Sequence, residues 1–288
     1  MTTGNPFRIR TMEKGDLPEA FALAHSEGWN QTESDWKFLM NNPHNKCIAV
    51  LVDNKLAGTA TALVYSARLA WIGMVLVSRS YRSMGIGRQL MTEIIRRLEN
   101  TECIKLDATP AGQPLYESLG FRSEYSLVRM TAEKILRIKP DLNISGISQL
   151  TEQSLEKVIE ADAPIFGTSR AGLLSYLYNN APDRSFILSG GSSVSGYFLG
   201  RQGTRFNYLG PLCANTGENA VLLLAAALSK LEGSSAAVDV FADRTGFIPL
   251  LENAGFIKQR EFTRMYLNKN TMQVSTKYQY LISGPEFG

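Results

Sequence analysis

The chain has few of the side chains that build metal centres or disulfide frameworks, with 3 Cys and 2 His among 288 residues. Cys47, Cys103 and Cys213 each lie in or beside a strand-like run, odd in number and widely spaced. That pattern excludes a disulfide framework and predicts buried free thiols in a reducing compartment, hence a cytoplasmic location. His25 and His44 stand near no second cluster of ligand-type residues, so no zinc site and no other metal is expected. No Gly-x-Ser-x-Gly elbow accompanies them, which sets aside a Ser-His-Asp hydrolase. There is no run of about 18 apolar residues, so no membrane span is expected. The stretch Met1 to Pro6 lacks the basic start and apolar core of a secretory signal. A net charge of +3 is too small to imply a nucleic-acid partner. What remains is a globular composition, 44% hydrophobic and 20% charged, long enough for one large domain or two ordinary ones.

Apolar periodicity divides the chain into mixed elements. A short strand is predicted at Phe7 to Arg10, a helix from Asp16 to Ser26, and a second helix from Glu33 to Met40 halted by Asn41-Asn42-Pro43. Three strands follow, at Cys47 to Val52, Leu56 to Val64 and Ala70 to Val77, with Asp53-Asn54-Lys55 as the first turn. A helix from Gly85 to Glu99 presents Ile86, Leu90, Met91, Ile94 and Leu98 on one face. A strand at Cys103 to Leu106, a short helix at Pro114 to Leu119 closed by Gly120, and a strand at Phe121 to Met130 complete the first half.

Beyond Met130 the order repeats. The charged, Pro-bearing segment Ala132 to Asn143 reads as a linker. Helices are predicted at Leu155 to Ala161 and Ala171 to Tyr178, then strands at Ser185 to Leu188, Val194 to Arg201 and Arg205 to Leu209. An apolar helix at Ala220 to Leu231, a strand at Ala237 to Phe241 and a short helix through Leu250 follow. The string Leu115-Tyr116-Glu117-Ser118-Leu119-Gly120-Phe121 aligns with Leu250-Leu251-Glu252-Asn253-Ala254-Gly255-Phe256, the glycines at 120 and 255 being 135 residues apart. The expected fold class is therefore α+β, two copies of one unit at residues 1–131 and 142–288, with a tail strand from Met272 to Ile282. The ending Gly284-Pro285-Glu286-Phe287-Gly288 reads either as a cloning scar or as a packed terminus.

The chemistry is expected in the turn Arg82-Ser83-Met84-Gly85-Ile86-Gly87 between a strand and a helix. A helix start leaves backbone N–H groups unpaired and adds partial positive charge, and glycines let a diphosphate reach those donors. Arg79, Arg82 and Arg88 raise the local potential. A dinucleotide fingerprint would need a third glycine where Leu90 stands, and a Walker loop would need a Gly-Lys-Ser/Thr ending that is absent. What stands here is Val75-Leu76-Val77, a four-residue spacer, Arg-x-x-Gly-x-Gly, an amphipathic helix, and Tyr-Glu-x-Leu-Gly-Phe farther on. That combination resembles the GNAT N-acetyltransferases over Ile72 to Phe121, and the whole chain resembles a tandem GNAT protein with a degenerate second repeat.

The resemblance implies acetyl-CoA as acyl donor, with pyrophosphate on residues 82–88 and the pantetheine arm lying between splayed fourth and fifth strands against the backbone of Val75, Leu76 and Val77. A backbone N–H there would stabilise the tetrahedral oxyanion, and Gly73 marks either a bulge or a tight packing position. Tyr116 holds the family's general-acid place, and a phenol stays protonated at neutral pH. Asp107, ending the fifth strand, is the candidate base, with a turn or capping carboxylate as its alternative. Thr109-Pro110 departs from the Asn common in the family before the short helix.

In the second copy Tyr116 corresponds to Leu251, and Cys213 to Glu218 stands where the phosphate loop should be, with a repelling carboxylate. That copy is expected to shape the acceptor site. Asp239 and Asp243 are candidates to meet a cationic substrate, or solvated loop acids. Trp29, Asn30 and Asp35 fall in the helix connection that lies over the family's acceptor site, Trp29 either contacting ligand or anchoring the helix pair. The expected reaction is direct acetyl transfer to a small-molecule primary amine, with a protein or peptide amine, or a non-catalytic acyl-CoA sensor, as alternatives. The apolar helix Val221 to Leu231 predicts a buried interface, within the chain or in a homodimer.

Overall fold

The computed structural model describes residues 7–137, 143–144, 146–191, 193–270 and 274–288. In the first half the elements are β1 (Arg8–Thr11), α1 (Leu17–Ser26), α2 (Glu33–Asn41), β2 (Lys46–Val52), β3 (Lys55–Ser66), β4 (Leu69–Val77), α3 (Ile86–Arg96), β5 (Cys103–Ala108), α4 (Gln113–Ser118) and β6 (Arg122–Ala132). The second half gives β7 (Ile147–Gln149), α5 (Glu152–Phe166), α6 (Ala171–Asn180), β8 (Phe186–Gly190), β9 (Ser193–Arg201) and β10 (Asn207–Ala214). It ends with α7 (Gly217–Lys230), β11 (Ala236–Phe241), α8 (Ile248–Asn253), β12 (Ile257–Asn268) and β13 (Gln279–Leu281).

Local chemistry explains the boundaries. Asp53 and Asn54, both at positive φ, make the two-residue turn between β2 and β3. Thr32 and Asp35 form a capping box that starts α2, and Thr151 with Ser154 does the same for α5. Helix α5 runs past the expected Ala161 to Phe166, with Pro164 inside its last turn and Gly167 closing it in the left-handed region. Strand β10 runs past the expected Leu209 because an irregularity between Leu209 and Leu212 absorbs Gly210 and Pro211.

All strands among the described residues join one 13-stranded sheet in the order β1-β2-β3-β4-β5-β12-β6-β11-β13-β10-β9-β8-β7. The two halves exchange their last long strands: β12 lies between β5 and β6, and β6 pairs with β11. A division at residues 131 and 142 therefore separates the sequence but not the sheet, and residues 138–142 lie outside the described ones. The described part of the expected linker is docked: Ile135 N–H donates to Ser234 O (2.8 Å) and Leu136 N–H to Ala254 O (2.9 Å). Of the expected tail strand, Met272 lies outside the described residues and the extended segment is Gln279–Leu281.

On one face of the first half, Ile86, Leu90 and Ile94 of α3 pack over Ile48, Val50, Ala60, Ile72 and Ile104. The alternate residues Ala49, Leu51 and Leu63 face the other way, into a core that α1 and α2 share with α5 and α6. Helix α7 buries Leu223, Leu224, Ala227 and Leu228 against its own half, so this apolar helix finds its partner within the chain.

Candidate active site

Strands β4 and β5 pair in parallel only at Leu69–Cys103, Ala70–Ile104 and Trp71–Lys105, then part. Where they part, β4 carries an irregularity in its pairing with β3, and Met74 sits at φ +51°. Thr61 Oγ1 donates to the Gly73 carbonyl (3.1 Å) and Thr59 Oγ1 to the Met74 carbonyl (2.9 Å). In a trans peptide the N–H points opposite to the C=O, so the N–H groups of Met74 and Val75 face away from β3 into the gap. Two adjacent donors aimed at one place suit a developing oxyanion. Gly73 combines both expectations for it. It adjoins the bulge, and a Cβ there would stand 2.7 Å from the Glu286 Cα.

The turn after β4 has the predicted form. Ser83 and Gly85 take positive φ, Gly85 is the N-cap of α3, and no side chain caps that helix. Its first N–H groups are thus left for a ligand. A Cβ on Gly85 would meet nothing within 4 Å, so glycine serves the φ of +78° there rather than space. Met84 is exposed while the Ile86 side chain is buried in the core. Arg82 donates Nε to the Val77 carbonyl (3.2 Å) and pairs with Glu27, which also binds Arg79 and whose carboxyl is held below its usual range by both. Arg88 Nη2 reaches Ser118 Oγ (2.9 Å). The Leu76 side chain points into the α1–α2 core, so only its backbone borders the gap.

The second half departs from this at both points. Thr216 caps α7, its hydroxyl accepting from Asn219 N–H (3.2 Å), so a side chain already engages one of that helix's first N–H groups. Strands β10 and β11 also pair at only two positions before parting, but β13 enters the gap and pairs with both. The tail strand occupies the slot that stands open between β4 and β5.

From the open slot a cavity of about 130 Å³ extends to the second half, lined among others by Trp29, Asn30, Val75, Asp107, Tyr116 and Glu286. Burial pushes the Tyr116 phenol up to about 12, and no described group hydrogen-bonds it. Asp107 lines the same cavity, but Arg264 holds both its oxygens at 2.8 Å, so it forms a structural ion pair and is not a free base. Asp239 is likewise held by Arg129 and by the Tyr208 hydroxyl (2.8 Å), which leaves nothing for a cationic substrate. Asp243 is exposed, pairs with Arg244 (2.9 Å) and borders a separate groove at the start of α7. Asp35 is fully buried: it caps Thr32, accepts from Tyr176 (2.9 Å) and faces Arg201 (3.4 Å). The Asn30 amide is used on residues 205 and 206, accepting from both N–H groups and donating to the Phe206 carbonyl (3.0 Å). Of the candidate acceptor contacts, Trp29 and Asn30 line the cavity and Asp35, Asp239 and Asp243 do not.

The residue that the sequence did not single out is Glu286. The segment 283–288 is packed, not a loose appendage: Trp71 Nε1 donates to the Pro285 carbonyl (3.0 Å), Tyr65 to the Phe287 carbonyl, and Phe287 is buried against Phe38 and Tyr176. Glu286 is buried with its main chain packed on Gly73, and its carboxylate pairs through Oε1 with Arg201. Burial pushes its carboxyl above the usual range, Arg201 pulls it down and Asp35 adds to the rise. A lone Glu in a Gly- and Pro-rich ending carries no pattern that announces this.

Comparison with known proteins agrees with the geometry. A model described as "Acetyltransferase (GNAT) family" matches residues 11–121, and one described as "Acetyltransferase (GNAT) domain" matches residues 158–281. The chain belongs to the GNAT superfamily. It is an acyltransferase with two GNAT domains in tandem. It is 25% identical over 275 residues to the holothin acyltransferase of Pseudoalteromonas sp. (strain SANK 73390), covering 95% of this chain and 91% of that one. It is 25% identical over 202 residues to the uncharacterized N-acetyltransferase YitH of Bacillus subtilis (strain 168), covering 70% and 71%. Among solved structures it shares its fold with a putative acetyltransferase of Pyrococcus horikoshii, with TM-score 0.83, 19% identity and coverage of 100% and 98%. It also shares its fold with a tandem GNAT protein from the clavulanic acid biosynthesis pathway, with TM-score 0.64, 13% identity and coverage of 91% and 98%. GNAT enzymes take their acyl group from acetyl-CoA, which matches an uncapped helix start beside an open strand gap. No described helix is long and apolar enough to cross a membrane. The three cysteines are free and buried, with burial pushing the Cys47 and Cys213 thiols up to about 12 and Cys103 to about 11.

Proposed function

We propose that this protein transfers the acetyl group of acetyl-CoA to the primary amine of a small molecule, in the first GNAT domain, by direct attack. The observation that carries this reading is the contrast between the two gaps: β13 fills the one between β10 and β11, while the one between β4 and β5 is open and ends at the uncapped Gly85 turn. In this reading the diphosphate meets the N–H groups of residues 85–88 and the pantetheine arm lies along β4. The thioester carbonyl points at the Met74 and Val75 N–H groups.

The Glu286 carboxylate, with Arg201 on its Oε1, takes a proton from the attacking ammonium, directly or through water. The C–N bond forms, the C–S bond breaks, the departing CoA sulfur takes the Tyr116 proton, and the second proton of the acylated nitrogen passes through solvent to restore the phenol. Residues of the second half, Phe206, Tyr208, Arg260 and Phe262, close the acceptor end of the cavity. A cavity of about 130 Å³ suits a small acceptor better than a folded protein segment, and the relative named for acylating holothin supports that choice.

A CoA-release assay with a panel of primary amines, read beside acetyl-CoA binding by calorimetry, tests the reading. Release of CoA with at least one small amine is expected. Tight acetyl-CoA binding without release on any acceptor would leave a sensor instead, and release only with peptides would move the acceptor class.

A further inference from the structure

The acceptor end of the cavity has an imbalance of charge. Arg129 and Arg260 line it and Arg205 stands at its rim, donating to the Gly28 carbonyl (3.1 Å), while Asp239 is the carboxylate among them. Asp239 is spent on Arg129, with both oxygens engaged at 2.8 and 2.7 Å. Among the described residues Arg260 has no carboxylate partner, although it is half-buried. Burial, then Arg129 and Arg205, lower its affinity for its own proton, with only Asp239 opposing them. Half-burying an unpaired guanidinium beside two others is unfavourable unless something anionic joins it.

The backbone is shaped for that side chain. The β12–β6 pairing shifts between Lys258, opposite Met130, and Arg260, opposite Arg129, so Gln259 is an extra residue. In a regular strand neighbouring side chains point to opposite faces. Here Gln259 and Arg260 both line the cavity. The opposite end is lined by the acidic residue Glu286, whose main chain packs on Gly73 and whose carboxylate pairs with Arg201. The cavity is thus acidic where the acyl group would arrive and basic away from it.

We propose that Arg260 anchors an oxyanion on the acceptor, which is therefore a primary amine bearing a carboxylate or phosphate at its far end. This rests on the acetyl-transfer reading above. The ammonium faces Glu286 and the acyl carbon, and the guanidinium fork takes the oxyanion with Gln259 beside it.

Matched amines test this, 4-aminobutyrate against 4-aminobutanamide and phosphoethanolamine against ethanolamine, in the full chain, wild type and Arg260→Gln. The anionic member of at least one pair is expected to have kcat/KM about 10-fold to 100-fold higher, the range of a charge-assisted hydrogen bond. Which pair shows the gap tells carboxylate from phosphate. Arg260→Gln closes the gap without changing the KM for acetyl-CoA, and Arg260→Lys restores part of it. Equal rates within both pairs, an equal loss for both members in Arg260→Gln, or a raised KM for acetyl-CoA would each overturn the proposal. Calorimetry of the anionic amine with CoA present gives a readout free of turnover. If no amine is acetylated, the transfer reading falls. The subsite then stands only if an anionic amine still binds and Arg260→Gln weakens it, and it falls if none binds or the variant changes nothing.

Discussion

Arg264 of β12 sits opposite Asp107 of β5 in register and donates two hydrogen bonds of 2.8 Å to its carboxylate across the junction of the two halves. Arg129 of β6 and Asp239 of β11 repeat the arrangement, in register and bidentate. The two arginines are 135 residues apart, the same spacing as Gly120 and Gly255. Each arginine lies on the strand its half gives away, and each aspartate on the strand that receives it. The exchange is thereby keyed by charge as well as by backbone pairing. A planar guanidinium on a carboxylate also favours one register over its neighbours.

Breaking one key should cost stability before it costs chemistry. Asp107→Asn leaves the Arg264 guanidinium buried beneath Trp71 and Tyr125 with its charge uncompensated. A loss of about 3–5 kcal/mol is expected in chemical denaturation. The folded fraction should keep a kcat within a few-fold of wild type. A collapse of kcat with stability intact would return Asp107 to the role of base.

Tyr116→Phe removes the proton offered to the CoA sulfur and little volume. A fall in kcat of about 10²–10⁴ is expected with an unchanged KM for acetyl-CoA. Because burial raises this phenol to about 12, it stays protonated throughout the working range, and no limb of the pH profile below that value should belong to it. Unchanged turnover in steady-state kinetics would remove Tyr116 from the mechanism.

Glu286 sets the acid limb. Its carboxyl is raised, and the base must be ionised, so kcat/KM should climb as pH rises through a value above that of an ordinary glutamate. Arg201 and Asp35 are the charged groups that act on it, Arg201 lowering it and Asp35 raising it. Glu286→Gln should lower kcat about 10²–10⁴ and abolish that limb, while Glu286→Asp keeps it at a reduced rate. A pH profile unaltered in Glu286→Gln would refute the assignment.

Thr59 and Thr61 hold the bulge through its two carbonyls. Removing one oxyanion donor costs about 10²–10³ in kcat, and loosening the peptide that presents it should cost part of that, about tenfold, in Thr61→Val. The KM for acetyl-CoA should stay within about twofold, because the Gly85 turn proposed to hold the diphosphate lies elsewhere. Equal losses in kcat and in acetyl-CoA affinity would mean that the threonines only support β4.

Local patterns carried the Gly85 turn, α3 and the short helix that bears Tyr116, because each follows from neighbours in the chain: a glycine at positive φ, a helical apolar stripe, a short helix closed by glycine. The internal repeat was legible for the same reason, since each copy spells its own landmarks. The exchange of β6 and β12 was not, because pairing partners far apart in sequence leave no periodic trace. Nor was the fate of the carboxylates. Asp35, Asp107 and Asp239 read as free acids until the arginines at 201, 264 and 129 were brought to them, while Glu286 acquired its place only when the tail folded back against Gly73. Whether a charge is a structural lock or a reactive group depends on which charge stands within about 3 Å of it, and only the folded chain sets that distance.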